Sequence, residues 1–145
     1  MKTLFLLPTK FNRIGWVTFL IFLVLGIYTT FMGFKIPGFQ IYHTNEPGSA
    51  DYNLTDEFAF LGIIIGLLMI SFARHVNEDE LISKVRLESW QWAVIIHYVL
   101  LLIINFTTYG FGFVFTVTFN SFTLLLVYII RFNYSLFMLK RGLAE

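Results

Sequence analysis

The chain of 145 residues contains no cysteine. Disulfide bonds, thiolate nucleophiles, iron–sulfur clusters and cysteine zinc sites are therefore all excluded. Charged residues are also scarce, at 13% of the sequence, whereas a typical soluble domain has about 25%. No acidic residue interrupts the middle of a long apolar run, so a carboxylate metal site inside a helix core is excluded as well. The net charge of +1 predicts no direct nucleic-acid partner.

Long apolar runs dominate what remains, because hydrophobic residues make up 57% of the chain and aromatic residues 19%. Four runs match a hydrocarbon core of about 30 Å, which takes roughly 17 to 25 helical residues. They lack the alternation of a membrane β-barrel, and lipid leaves no partner for open backbone groups. We therefore predict an all-α integral membrane protein with a single transmembrane domain and membrane lipid as its surroundings. Its four transmembrane helices are predicted at about 14–34, 57–74, 77–109 and 112–137.

The distribution of basic residues predicts the orientation, because loops rich in Lys and Arg stay in the cytoplasm. Nine of the ten basic residues lie on one side of the predicted membrane: they precede the apolar run 14–34, lie between the apolar runs 58–73 and 90–107, or stand at or after the end of the run 113–131. The tenth, Lys35, lies in the loop 35–56. We therefore predict cytoplasmic termini, an external loop 35–56 and a location in the bacterial inner membrane. The glycines of the short connection "TYGFGF" predict a tight antiparallel hairpin of helices three and four.

The stretch "NEDELISKVRLESWQW", residues 77–92, gathers six charged residues between two long apolar runs. Asn77 followed three residues later by Glu80 is the capping pattern of a helix start. Neither glycine nor proline interrupts residues 77–109, so one long helix is predicted. Its first three turns would project into the cytoplasm, and Trp90 and Trp92 would mark the membrane interface.

This projecting helix has a predicted stripe of Ile82, Val85, Ser89 and Trp92, and three charged residues lie away from it: Asp79, Lys84 and Arg86. One hypothesis makes it a docking surface for a cytoplasmic protein. The alternatives are a solvated helix extension that only sets the helix register, or a surface that binds lipid headgroups. The residues of the predicted docking surface are Asp79, Glu80, Ile82, Val85, Arg86 and Ser89.

Three segments resemble a family of small, uncharacterised four-helix membrane proteins of Bacteroidota bacteria. They are "LLPTKFNRIGW", "EDELISKVRLESWQWA" and "FNSFTLLLVYIIRFNYSL". The resemblance implies four membrane helices and carries no established activity. More loosely, Asp79-Glu80 with Val85 and Ser89 is similar to a motif in other small bacterial and archaeal membrane proteins, often encoded beside helix-turn-helix regulators. In those proteins an arginine usually stands where this chain has Leu81.

Polar residues inside the predicted spans form two stripes on helices three and four. If the hairpin turns near Gly110, these stripes can face each other. They can bond the helices together, or they can serve a ligand or proton-linked role. Haem and metal ligation are disfavoured because no two histidines share a depth, and no cofactor is predicted. The polar seam consists of His97, Asn105, Thr116, Asn120 and Thr123.

Helix two carries a face of small residues, Ala59, Gly62 and Gly66, with the spacing that lets helix backbones approach closely. This face predicts tight packing, either inside the chain or across a homodimer.

No arrangement of nucleophile and base, such as GxSxG or HExxH, occurs in the sequence. We therefore predict a non-enzymatic regulatory or interaction protein that presents a cytoplasmic helix to a soluble partner. In this hypothesis the loop from Lys35 to Glu57 receives an external cue. The alternatives are an oligomeric small transporter or channel, with the polar seam lining a path, and an accessory subunit of a larger membrane complex.

Overall fold

A computed structural model describes residues 6–41, 52–76 and 79–142 of the chain. Four stretches in it are long and apolar enough to cross a membrane, and their length and composition are consistent with a small four-helix membrane protein. The prediction of four long apolar helices is therefore confirmed. The elements are α1 (Lys10–Met32), β1 (Gln40–Ile41), β2 (Tyr52–Asn53), α2 (Thr55–Phe72), α3 (Glu80–Thr107), α4 (Phe111–Asn120) and α5 (Thr123–Gly142).

The chain forms two compact units. The first unit, Lys10–Ile70, contains α1, the strand pair and most of α2. The second unit joins Met1–Thr9 to Ser71–Glu145 and contains the end of α2 with α3, α4 and α5.

In the first unit α1 packs closely on the small-residue face of α2. A Cβ atom added at Gly66 would lie 2.7 Å from the backbone nitrogen of Phe19, and one added at Gly62 would overlap the ring of Phe22. Ala59, on the same face, is buried. Only glycine allows these contacts, because any larger residue would displace backbone or ring. The face thus packs against α1 inside the chain, and its other predicted role, across a homodimer, stays a prediction.

The end of α1 depends on Gly33, whose φ of 64° lies in the left-handed region. Its N–H donates to the carbonyl of Thr29 at 3.1 Å. A glycine in this conformation just after the last helical residue is a common way to end a helix. The helix therefore ends at Met32, two residues before the predicted boundary.

The start of α2 is held by side chains of the predicted external loop. The side-chain oxygen of Asn53 accepts a hydrogen bond from the backbone N–H of Thr55 at 3.0 Å, and its amide donates to the carbonyl of Ile36 at 3.1 Å. The N–H of Ile36 donates to the hydroxyl of Thr55 at 3.0 Å. β1 and β2 pair antiparallel in the same region. Residues 42–51 of the predicted loop lie outside the described residues.

In the second unit α3 and α5 are antiparallel. The rings of Trp90 and Tyr128 stack with centroids 4.2 Å apart. The Arg86 guanidinium lies over the ring of Phe132. Arg86 is four residues before Trp90 on α3, and Phe132 is four residues after Tyr128 on α5, as antiparallel helices require. The turn between α3 and α4 contains Gly110 with a φ of 63°, a conformation that favours glycine.

The fourth span, predicted as a helix at about 112–137, runs from Phe111 to Gly142 and contains a two-residue break between α4 and α5. The N–H of Ser121 donates to the carbonyls of Val117 and Thr118 at 3.2 and 3.3 Å, and the N–H of Phe122 donates to Phe119 at 3.2 Å. The Ser121 hydroxyl also donates to the Thr118 carbonyl. A serine side chain that competes for backbone acceptors in this way favours a tightened turn over a regular helix.

Candidate functional site

The start of α3 is capped by Asp79. This residue has an extended backbone, and its carboxylate accepts a hydrogen bond from the N–H of Ile82 at 2.9 Å. The predicted cap, Asn77, lies outside the described residues, and the helix begins at Glu80. An aspartate at this position satisfies an otherwise open helical N–H and places negative charge at the positive end of the helix dipole.

One face of the first turns of α3, consisting of Ile82, Arg86, Ser89 and Ala93, is buried in the chain. The Ser89 hydroxyl finds its hydrogen-bond acceptor within the same helix, because it donates to the carbonyl of Val85 at 2.7 Å. The prediction that Arg86 lies away from the stripe is wrong, since only 8% of this residue is exposed. The spacing of three and four residues puts Arg86 in line with Ile82 and Ala93. The buried face is therefore a mixed polar and apolar one.

Arg86 is buried because it reaches the end of α2. Its guanidinium donates to the carbonyls of Ser71 and Ala73 and to the hydroxyl of Tyr128, each at 3.3 Å, and it lies 4.8 Å from the ring centroid of Phe132. The last carbonyls of a helix lack partners inside that helix, and the helix dipole makes them attractive to a cation. Arg86 thus fastens the start of α3 to the end of α2.

The segment before α1 satisfies another carbonyl at the same place. The N–H of Leu7 donates to the carbonyl of Phe72 at 2.9 Å, and the N–H of Arg74 donates to the carbonyl of Leu7 at 2.8 Å. Together these bonds make a parallel bridge between Leu7 and Ala73. Consequently, the carbonyls of residues 71, 72 and 73 all accept hydrogen bonds from other parts of the second unit.

Aromatic rings extend this junction on the side of α5. Trp90 lies between Phe72, at 5.6 Å, and Tyr128, at 4.2 Å, and Tyr128 in turn stacks on Phe132 at 5.7 Å. We call Arg86 with these four aromatic residues the Arg86 cluster. It joins α2, α3 and α5 within the second unit.

Burial divides the six residues of the predicted docking surface. Ile82, Arg86 and Ser89 are buried, so the structure leaves them unavailable to a partner. Val85 is half-buried, while Asp79 and Glu80 are exposed.

The exposed side of the same turns, which we call the open face, consists of Leu81, Lys84, Leu87 and Glu88. Leu81 is 49% exposed and Leu87 61% exposed. These two leucines are spaced three residues on either side of Lys84, which puts all three close together on a helix surface. Sequence analysis did not single out Leu81 and Leu87, although they form an apolar pair outside the predicted stripe.

The five residues of the polar seam occupy different environments. Asn120 is buried, His97, Thr116 and Thr123 are half-buried, and Asn105 is exposed. No hydrogen bond joins two of the five in the described part of the chain. The Thr116 hydroxyl donates instead to Gly112 of its own helix, at 2.8 Å.

Two buried nitrogens of the seam have no hydrogen-bond partner in the described residues: Nδ1 of His97 and Nδ2 of Asn120. The register of α3 and α5 relates them. Trp90 of α3 stacks on Tyr128 of α5, and the two helices are antiparallel. His97 is seven residues after Trp90, and Ser121 is seven residues before Tyr128, so the two lie at the same level. His97 therefore lies at the level of the break between α4 and α5, where Asn120 ends α4.

Metal-binding side chains do not cluster in the part of the chain that the structure describes. Within residues 6–41, 52–76 and 79–142, no three His, Asp or Glu side chains form a group that could hold a metal ion.

The chain matches no protein-family model, no curated protein and no solved structure. Its affiliation with a family is therefore not established. The observations that bear on function are the capped start of α3 with its open face, the Arg86 cluster behind it, and the two unpartnered nitrogens of the seam.

Proposed function

We propose that the chain is a non-enzymatic protein of the bacterial inner membrane that presents the start of α3 to a soluble partner in the cytoplasm. The orientation rests on the basic residues, nine of which lie on the side of the termini and of the connection between α2 and α3.

The length of α3 supports an extension beyond the bilayer. Its 28 residues give a helix of about 42 Å, against a hydrocarbon core of about 30 Å. The surplus is about eight residues, and the charged residues of α3 all lie in its first turns, before Trp90. Trp90 and Trp92 then mark the interface, where tryptophan is enriched. The open face of Leu81, Lys84, Leu87 and Glu88 therefore falls outside the lipid.

The Arg86 cluster gives this extension a fixed position. The opposite face of the same turns is hydrogen-bonded and stacked against α2 and α5. A surface held in one conformation loses less entropy when it binds than a mobile one does. Exposed leucines around a lysine suit a protein partner with an apolar groove and an acidic rim. The exposure of Leu81 and Leu87, on turns that we propose lie beyond the bilayer, is the observation that carries the proposal.

Site-specific photo-crosslinking in intact cells tests this function. A benzophenone amino acid at Leu87 should crosslink a soluble protein, whereas the same residue at Phe115 should crosslink only lipid or membrane protein. Both side chains are 61% exposed, so exposure is matched and only the medium differs. The protein captured should then bind the purified chain, and the double variant Leu81→Lys, Leu87→Lys should not bind it. Crosslinks from Leu87 to lipid or to this chain alone would contradict the proposal.

A second candidate function, an oligomeric transporter or a subunit of a larger membrane complex, is favoured by Nδ1 of His97 and Nδ2 of Asn120. An unsatisfied buried polar group costs roughly 1–3 kcal/mol. A complex in which a neighbouring chain supplied the missing hydrogen-bond partners would therefore be stabilised. On this hypothesis His97→Leu should dissociate an oligomer in detergent. Asn105→Leu, an exposed position on the same helix, should not. A monomeric wild-type chain by light scattering would remove the oligomeric transporter from consideration.

A further inference from the structure

Arg131, on α5, is a cation of the fourth span that forms no ion pair with the described part of the chain. Its guanidinium carbon lies 4.9 Å from the ring centroid of Trp92 on α3. Its Nε atom is buried and has no hydrogen-bond partner among the described residues. Contact with the face of a tryptophan is favourable for a guanidinium, but it leaves the N–H groups at the edge of the guanidinium without acceptors.

The position of Arg131 along the span is at the membrane surface. It follows Phe111, the first residue of α4, by twenty residues, which corresponds to about 30 Å of helix, the thickness of the hydrocarbon core. Its contact residue Trp92 belongs to the aromatic pair assigned to the interface. The guanidinium is therefore at the level of the lipid headgroups, at the end of the span opposite the turn between α3 and α4.

A partly buried cation at this level of a membrane protein is stabilised by a counter-charge. Glu88, one helical turn before Trp92, is an exposed carboxylate on the same helix, yet it forms no ion pair with Arg131. The anion that every bilayer offers at this depth is the phosphate of its lipids. Arginine suits phosphate because its planar guanidinium can donate two parallel hydrogen bonds, and basic sites between membrane helices bind anionic headgroups.

We propose that Arg131, supported by the ring of Trp92, binds the phosphate of an anionic phospholipid. The ring holds the guanidinium from one face and leaves its edge for the phosphate oxygens. A zwitterionic lipid binds more weakly, because its own ammonium group competes for the same phosphate. This site is separate from the open face and does not depend on the proposed docking function.

The test titrates the purified full-length chain in detergent with short-chain phosphatidylglycerol and follows tryptophan fluorescence, to which Trp92 contributes. Saturable binding is expected, with about tenfold or greater loss of affinity in Arg131→Gln, the size expected for a hydrogen-bonded charge. The matched control is Arg141→Gln. Arg141 also lies over a ring, that of Phe137 at 5.1 Å, but it is exposed, so this variant should bind like the wild type.

Two further ligands identify the source of the phosphate. Short-chain phosphatidylcholine should bind more weakly than phosphatidylglycerol, and glycerol 3-phosphate should not bind at millimolar concentration. Glycerol 3-phosphate binding as tightly as the lipid would overturn the assignment to lipid. Equal affinities of the wild type and Arg131→Gln for phosphatidylglycerol would overturn the site itself. If Arg131→Gln fails to fold, Arg131→Lys keeps the charge without the planar group, and wild-type affinity in that variant overturns the proposed geometry.

Discussion

Replacement of Arg86 by methionine should strongly destabilise the chain, because it removes the cation that fastens α3 to the end of α2. Methionine keeps the aliphatic bulk but leaves the carbonyls of Ser71 and Ala73 without the bonds that they accept at 3.3 Å. Each unsatisfied buried acceptor costs about 1–3 kcal/mol, and the lost cation–π contact with Phe132 costs about 0.5–2 kcal/mol. Since the bonds are long, we expect a total loss of about 3–5 kcal/mol in the free energy of unfolding, the range for a broken buried charge contact.

The assay is denaturant unfolding in detergent, followed by tryptophan fluorescence, because Trp90 stacks in the Arg86 cluster. Arg86→Lys keeps the charge and should lose about half as much stability, since lysine lacks the planar guanidinium that lies over the ring of Phe132. Arg141→Met is the control, because Arg141 is exposed and its loss should cost less than about 0.5 kcal/mol. A stability of Arg86→Met within about 0.5 kcal/mol of the wild type would refute the role given to Arg86.

Two other predictions compare matched positions. Gly66→Ala should destabilise the chain by about 1–3 kcal/mol, because the new Cβ would lie 2.7 Å from the backbone nitrogen of Phe19. Gly112→Ala is the control: a Cβ added at Gly112 has no atom within 4 Å, so this variant should be close to neutral in the same unfolding assay. Asp79→Ala should cost about 1 kcal/mol through loss of the helix cap, while Glu80→Gln should change stability little; equal effects of the two would show that charge rather than capping is involved.

The four spans could be predicted from sequence because a membrane helix needs a long apolar run, and that requirement leaves few alternatives. The positions of the helix ends were harder to predict. The apolar run predicts that α1 continues past Gly33, whereas the left-handed conformation of Gly33 ends the helix at Met32. Similarly, the break at Ser121 depends on how its hydroxyl and N–H share the carbonyls of the preceding turn. Apolar runs carry no information on either point.

The candidate site was predicted only in part. Asp79, Glu80 and Val85 lie at the charged start of α3, before its apolar part, and the sequence indicates that much. The burial of Arg86 could not be predicted, because hydrophobic periodicity treats a charged residue as exposed. Its partners are backbone carbonyls at the end of another helix, which only the tertiary structure brings near.

Cysteine labelling tests the central claim most directly, since the chain has no native cysteine. Single variants Leu87→Cys and Phe115→Cys have parent side chains of equal exposure, 61%, one proposed in cytoplasmic water and the other in lipid. A membrane-impermeant maleimide should label Leu87→Cys in inside-out vesicles but not in intact cells, and it should label Phe115→Cys in neither. Labelling of Leu87→Cys in intact cells would contradict the orientation, and equal labelling of both variants would contradict the membrane arrangement itself.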